Sequence, residues 1–396
     1  MHAIIYGALA NTSSHNETTN SKIIKRRIFE IRDRIFFTFN YTSLLDYRNH
    51  DKEYSTNKGD MAISEAISSL FKAINPKTNF TYVNWERLTD LDGAQHKNSI
   101  FVVAGGGYFF IKTDGRLPSR LKVDLDFFKS TGINPILFGV GLNIPGKDDI
   151  SNEHVELKPD DENTIRGILS CSRLISVRDS NTKEFLKNYT NKPIYIIGDP
   201  AIYLGKSIFS NPAPTQTTGS QLPTIGVNIP FHGPSSNKIL KSNIEKYIQL
   251  LKSIQSTTGC RYKYFVHYDS EYIIPKLLHT KNLDIETVAG TPSELLSEYI
   301  KLNLHLGGML HSCIMAHSVG IPCISLAYDI KHRGFFELMG TENNYFSALD
   351  FEPDAVLKRS LFLLKNQDQV RQDIYNRVDF YSSKIIDFGK QCLNTF

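Results

Sequence analysis

The sequence predicts an α/β protein of two domains, each a parallel sheet wrapped by helices. Apolar, β-branched runs alternate with amphipathic helical stretches along most of the chain, the pattern of repeated βαβ units. The alternation breaks once, at the Pro-, Ser-, Thr- and Gly-rich stretch 206–223, and then restarts. At 396 residues the chain is also longer than one core comfortably serves. The expected domains are residues 1–210 and 211–396.

Bulk properties narrow the class. Apolar content of 41% and charged content of 22% are ordinary for a globular chain. A net charge of +4 is too weak to mark a nucleic-acid binder, though it suits acidic small substrates or an anionic membrane surface. Five cysteines (Cys171, Cys260, Cys313, Cys323 and Cys392) include no C-x-x-C pair. They form neither a disulfide framework nor a zinc site, so a reducing cytoplasm is expected. No apolar run reaches the roughly 18 residues that span a bilayer. The opening MHAIIYGALA lacks the basic stretch of a signal peptide.

Taken in order, residues 1–21 hold a short apolar segment and a polar run. Lys22 to Phe37 reads as a solvated basic helix running into a strand at 34–40, with contact to a membrane surface as the alternative. A helix follows to about residue 73, with Asp60 as its N-cap and Ile63, Ile67, Leu70 and Ile74 on one face. Strand 99–104 ends in Gly105-Gly106-Gly107, either a crowded turn or a floor under a ligand. Strand 135–140 and helix 161–170 lead to Leu174–Val177, after which Arg178 and Asp179 reach the carboxyl edge. There Arg178 binds an anion or only pairs with Asp179. After the linker come strand 224–230, helix 237–254, strand 262–268, a helix from 270, strand 284–288 and helix 292–301. His232 and His267 fall at strand ends on the same edge, and 352–390 reads as helical.

The most informative stretch is Leu302 to Phe336. An apolar strand ends at Leu306, Gly307-Gly308 makes a turn, and a helix covers about 309–319. Gly320 and Pro322 stop that helix, and Cys323 to Tyr328 is a second buried strand. Such a crossover puts the glycine turn at the carboxyl edge of a parallel sheet, where ligands of open α/β sheets bind. Glycines admit close approach of a ligand, and free N–H groups at a helix start attract anions. His311 in the first helical turn and Asp329, Lys331, His332 and Arg333 after the next strand point at one rim. The combination reads as an anion site with a titratable histidine; a packing turn beside a solvated basic loop is the plainer alternative.

The run L-H-x(4)-A-x(3)-G-I-P-x(4)-A-Y-D-x-K, from Leu310 to Lys331, resembles the C-terminal signature of the polysaccharide pyruvyl transferase family. N-x-G-D-x-A-I at Asn57 to Ile63, S-V-R-D ending at Asp179, and Gly198-Asp199-Pro200-Ala201 resemble its other signatures in the same order. The likeness spans about 34–340. It implies two Rossmann-like domains facing a central cleft, the GT-B arrangement, with the C-terminal helix crossing back onto the first domain. It also implies a transferase of surface-polysaccharide (capsule or exopolysaccharide) biosynthesis, moving pyruvate from phosphoenolpyruvate onto a sugar hydroxyl of a glycan or lipid-linked saccharide. By that resemblance His311 is the acid/base. Asn57, Gly59, Asp60, Arg178, Gly307, Gly308, Lys331 and Arg333 face the donor. Gly105, Gly106, Gly107, His232, His267, Tyr328 and Asp329 line the acceptor side or the cleft. No metal and no cofactor beyond the donor is expected, and the place of work is the cytoplasm or the inner face of the cell membrane. Nothing in the pattern specifies an oligomer.

One position departs from the family. Its usual form has an arginine two residues before the histidine, where this chain has Met309. A thioether cannot clamp a carboxylate as a guanidinium does. Either Arg333 or His332 supplies the charge, or the donor differs. The competing readings are a GT-B glycosyltransferase using a nucleotide-sugar donor, and a member that has lost catalysis and binds a glycan or partner.

Overall fold

The computed structural model describes residues 1–7, 57–93, 95–96, 98–112, 114–144, 157–209, 222–231 and 233–395. The helix and strand expected within 22–40, most of the 206–223 linker and His232 lie outside the described residues.

Two six-stranded parallel sheets carry the architecture. The first is built from β1 (His2–Gly7), β2 (Asn79–Asn84), β3 (Ile100–Ala104), β5 (Ile136–Val140), β7 (Leu174–Val177) and β8 (Tyr195–Ile196), in the order β2-β1-β3-β5-β7-β8. A two-stranded ribbon pairs β4 (Phe109–Phe110) with β6 (Leu142–Asn143). The second sheet comprises β9 (Thr224–Asn228), β10 (Arg261–Phe265), β11 (Ile285–Val288), β12 (Leu304–Gly307), β13 (Cys323–Ala327) and β14 (Tyr345–Ser347), in the order β11-β10-β9-β12-β13-β14. Both sheets start on an inner strand and run outward to each side in turn. Each therefore has a topological switch point, β1/β3 in one and β9/β12 in the other, and each opens a crevice at its carboxyl edge. This is the two-domain, GT-B-like architecture.

The helices follow from apolar spacing and caps. Helix α1 (Lys58–Ile74) buries Ile63, Ile67 and Leu70. Its cap is Asn57 rather than Asp60: the Asn57 side chain accepts from Gly59 N at 2.9 Å, and Asp60 lies within the first turn. The asparagine three residues earlier satisfies an orphan amide of the first turn, so Asp60 is not needed as the cap; its carboxyl instead accepts from the Asn57 side-chain amide. Helices α2 (Ser119–Thr131), α3 (Pro159–Cys171), α4 (Ser180–Lys187) and α5 (Ile202–Ile208) complete the first domain. The second has α6 (Gly233–Thr258), α7 (Ile273–Thr280), α8 (Pro292–Tyr299), α9 (Leu310–Ser318), α10 (Lys331–Met339) and α11 (Pro353–Lys365).

One hydrophobic core runs through both domains. It joins Ile63 and Ile67 of α1 and Ile202 of α5 to Leu310 and Ile314 of α9. Helices α5 and α9 touch backbone to backbone at Gly205, where an added Cβ would stand 2.2 Å from the Ser318 carbonyl oxygen. Lys58 N donates to His267 O at 3.2 Å, and the Ser293 hydroxyl donates to Glu65, across the same boundary. The final helix α12 (Gln367–Asn394) packs on both domains: Ile374 and Val378 enter the shared core, and the Phe388 ring lies 5.1 Å from Phe138 of β5. No helix among the described residues is long and apolar enough to cross a membrane.

The α12 contact gives a stability test. Phe388 is 3% exposed and also meets Tyr195 of β8. Phe388→Ala should cost about 3–5 kcal/mol in urea denaturation, as large-to-small aromatic changes in cores do. A loss below about 1 kcal/mol would mean that α12 does not staple the first sheet.

Candidate active site

The site forms where the first turns of α1 and α9 meet. The imidazole of His311 rests on Gly59: a Cβ built there would stand 2.1 Å from His311 Nδ1. Glycine is what lets the two helix starts close on each other. On its other side His311 Nε2 faces Asp199 Oδ2 at 3.5 Å, beyond normal hydrogen-bond length but within ion-pair reach. Asp199 follows β8, is buried, and uses Oδ1 to accept from Ala201 N at 3.0 Å. Burial raises its pKa, but the contact and charge of His311, the Arg178 charge and the Ala201 amide outweigh burial and hold the carboxyl below its ordinary value.

Asp60 completes the group and behaves oppositely. Burial, helped by the negative charge of Asp199, pushes its pKa up to about 6 against the opposing pull of His311, Lys331 and a hydrogen bond from Asn57. Two carboxyls of one domain thus flank a histidine of the other, one held ionised and one protonatable near neutrality. Separated values of this kind assign different proton tasks to chemically identical groups. The glycine turn after β3 lies beside Asp60: Gly105 and Gly106 have φ of +44° and +64°, and a Cβ on Gly106 would be 3.1 Å from Asp60 Oδ1.

A cation borders this group. Lys331 Nζ donates to Tyr328 OH at 3.3 Å and lies 3.7 Å from Asp329 Oδ2. The Tyr328 hydroxyl in turn reaches Met309 Sδ at 3.6 Å. The ammonium is therefore one phenol away from the thioether. Burial works against the Lys331 charge, yet Tyr328 and Asp329 overcome it and leave the pKa raised. The other two cationic candidates stand differently. His332 is buried, accepts or donates at Ser325 Oγ through Nδ1 at 2.8 Å, and has its pKa driven far down by burial and by the Lys331, Arg178 and His311 charges. It is neutral, which corrects its reading as a cation. Arg333 pairs with Glu337 at 2.9 Å on the same helix.

Three further expectations change. Gly308 N donates to Asn228 O at 2.8 Å and Met309 N to Asn228 Oδ1 at 2.9 Å, so these amides of the glycine turn are engaged within the fold. Gly307 belongs to β12, and a Cβ on Gly308 would meet Pro230 Cδ at 2.2 Å; both glycines serve packing. Arg178 is 2% exposed, pairs with Asp179 at 2.9 Å and donates to Leu142 O at 2.9 Å. Its charge reaches Asp199, Asp329 and Lys331 through space only. His267 is buried with Nε2 on Tyr299 OH at 2.8 Å, and burial, with His311 and Lys58, lowers its pKa to about 3. All three support the site from behind.

Sequence reasoning passed over Asp199 as a site residue, although G-D-P-A was noted. It also passed over Asn228 and Glu271, whose carboxyl accepts from Asn228 Nδ2 at 3.0 Å and His267 N at 2.7 Å. Burial pushes Glu271 up to about 8, so at neutrality it is mostly protonated and no unpaired charge sits behind α9. Among the described residues no group of three or more His, Cys, Asp or Glu could hold a metal ion, and the five cysteines are free thiols.

With this geometry in hand, comparison decides the family. The polysaccharide pyruvyl transferase family model matches residues 57–330. The chain belongs to the polysaccharide pyruvyl transferase family. It is therefore a transferase of polysaccharide biosynthesis, and the matched span contains Asn57, Asp60, Asp199 and His311. No curated protein sequence matches it. Among solved structures, UDP-GlcNAc 2-epimerase from Neisseria meningitidis bound to UDP-GlcNAc aligns over 100% of both chains at 8% identity and TM-score 0.55. The S. aureus MnaA-UDP co-structure aligns over 86% of this chain and 95% of that one at 11% identity and TM-score 0.53. At such identities the likeness is one of fold. A Glycosylation Associate Protein (Gap123) complex from Streptococcus agalactiae also matches, over 75% of this chain and about half of its own (54%), at 12% identity and TM-score 0.45.

Asp60 gives a pH-dependent test. Folded Asp60 keeps its proton up to about pH 6, whereas the unfolded chain releases it near pH 4. The stability it contributes is complete below about pH 4 and is lost as pH rises to about 6. Asp60→Asn should match the native protein at pH 4 and exceed it by about 1–2 kcal/mol at pH 8 in urea denaturation, after discounting for the open side of the cleft. Equal stability at pH 8 would contradict the raised value.

Proposed function

We propose that this transferase moves the pyruvyl group of phosphoenolpyruvate onto two hydroxyls of one sugar as a ketal. The methylene carbon of the donor gains a proton, two C–O bonds form to the central carbon, and the bond to phosphate oxygen breaks. Of the two protons that the hydroxyls lose, one balances the new methyl group and the other leaves with phosphate. The reaction needs one group that gives a proton to carbon, one that takes a proton from a hydroxyl, and a cation for the donor's acidic groups.

The observation that carries this reading is His311 held between Asp199 and Gly59, with Asp60 beside it. His311, held with Nε2 facing the carboxyl of Asp199, is the proton donor to carbon. Asp60, with its pKa near 6, takes the hydroxyl proton. Lys331 supports the donor's anionic groups. It stands one hydroxyl from Met309, where the family's usual arginine would be, and so supplies charge from the neighbouring helix. A point charge on a flexible stem gives less geometric selection than a guanidinium fork. Weaker donor binding than an arginine would give is the expected consequence.

Binding tests the donor without knowledge of the acceptor. A ligand at a hundred times its Kd stabilises the native state by about 2.7 kcal/mol. Phosphoenolpyruvate should then raise the melting temperature by several degrees, nucleotides should not, and Lys331→Met should abolish the rise. Met309→Arg should tighten phosphoenolpyruvate binding. A shift with a nucleoside diphosphate and none with phosphoenolpyruvate would replace this reading by a nucleotide-sugar donor. With an acceptor in hand, His311→Gln should lower turnover by about 10²–10⁴-fold, and near-normal turnover would reduce His311 to a helix-start contact.

A further inference from the structure

A second polar group lies on the carboxyl edge of the first sheet, and the chemistry above does not use it. Trp85 follows β2, Arg120 is in the first turn of α2, and Asn143 ends β6. Three of their atoms, Trp85 Nε1, Arg120 Nη1 and Asn143 Oδ1, are buried and have no hydrogen-bond partner among the described residues. Such atoms are uncommon in folded proteins, because each has given up water for nothing.

The residues are held firmly. The Arg120 guanidinium lies over the Trp85 ring, its Cζ 3.7 Å from the centroid, and donates through Nη2 to Tyr108 O at 3.0 Å. Tyr108 is anchored below by its hydroxyl on Asp124 Oδ2 at 2.8 Å, and Tyr6 donates to the other oxygen of the same carboxyl. Asp124 is buried, and its only described partners are these two phenols, with Arg120 acting on it through space. One edge of the guanidinium is thus spent on the backbone and one face on the indole, and its charge also acts on the Tyr6 hydroxyl and Asp124, while Nη1 has no hydrogen-bond partner among the described residues.

This group is joined to the proton-transfer centre by the glycine turn. Gly106 adjoins Asp60, and the next residue, Gly107, adjoins Asn143: a Cβ on Gly107 would stand 3.1 Å from Asn143 Cβ. Tyr108, which carries Arg120, is the residue after that. The run 106–108 therefore leads from the reacting groups to the orphaned atoms in three residues.

We propose that Trp85, Arg120 and Asn143 form an acceptor subsite for a saccharide that carries an anionic group, a carboxylate or a phosphate, next to the sugar that is modified. Arg120 Nη1 takes the anion, Trp85 Nε1–H donates to a sugar oxygen, and Asn143 Oδ1 accepts from a hydroxyl. The indole and guanidinium stack gives the sugar a flat wall. A neutral glycan leaves Nη1 without a partner and binds more weakly. This inference rests on the transferase having a saccharide acceptor, as the proposed function holds.

The test is glycan binding, read by calorimetry and kept apart from donor binding. Three probes are compared: a disaccharide ending in glucuronic acid, a disaccharide phosphate, and the corresponding neutral disaccharide. At least one acidic probe should bind about tenfold or more tightly than the neutral one, and which of the two does so tells carboxylate from phosphate. Arg120→Met should remove that preference, and Trp85→Phe, which keeps the ring and deletes the N–H, should weaken binding severalfold. The melting-temperature rise caused by phosphoenolpyruvate should persist in both variants, which also shows that they fold. Equal binding of acidic and neutral probes, no binding of either acidic probe, or an acid preference that survives Arg120→Met would overturn the subsite. Loss of the phosphoenolpyruvate response in the unsubstituted protein would instead overturn the donor reading and leave the glycan result to stand on its own.

Discussion

The contact on which the site depends is the imidazole of His311 lying against the bare backbone of Gly59. It fixes how close the two sheets' carboxyl edges come, because any side chain at residue 59 would collide with the ring. With that approach allowed, Asp199 and Asp60 of one domain reach a histidine of the other. The common core supplies the force that keeps them there, since Ile63, Ile202, Leu310 and Ile314 are buried together. The N-x-G-D phrase thus has a physical division of labour. Asn57 caps the helix, Gly59 admits the histidine, and Asp60 turns toward the cleft.

Electrostatics follow from this placement. The buried charges of the centre are balanced locally: Asp199 by His311 and Arg178, and Lys331 by Asp329 and Tyr328. Groups without such balance are neutral, as His267, His332 and Glu271 show. Burying an unpaired charge is expensive, so an interior this rich in titratable side chains holds them either paired or uncharged. Asp60, raised to about 6, is the carboxyl of this group that changes charge close to neutrality.

Much of the fold was legible in the sequence because parallel strands buried on both faces leave long apolar runs, as at 100–104, 136–140 and 323–327. The first strand was not recognised as such. His2–Gly7 is six residues at the chain start with no turn signal before it, although it sits inside the first sheet. His311 and Lys331 could be placed at one rim from the strand–turn–helix spacing alone. What periodicity could not reveal was which backbone donors were already taken. The claim of Asn228 on the amides of Gly308 and Met309 comes from a strand about 80 residues earlier, and a turn's free N–H groups cannot be counted without it. The same holds for Arg178, whose partner Asp179 is adjacent in sequence while Leu142 is not.

The central claim is that a carboxylate of one domain and a histidine of the other act as a unit. A double-mutant cycle on Asp199→Asn and His311→Gln, read as unfolding free energy at pH 6, measures that unit without any substrate. Partners in contact couple by about 0.5–3 kcal/mol, and the account predicts a value in that range. Losses that add to within about 0.3 kcal/mol would show that the two side chains are merely neighbours and contradict it.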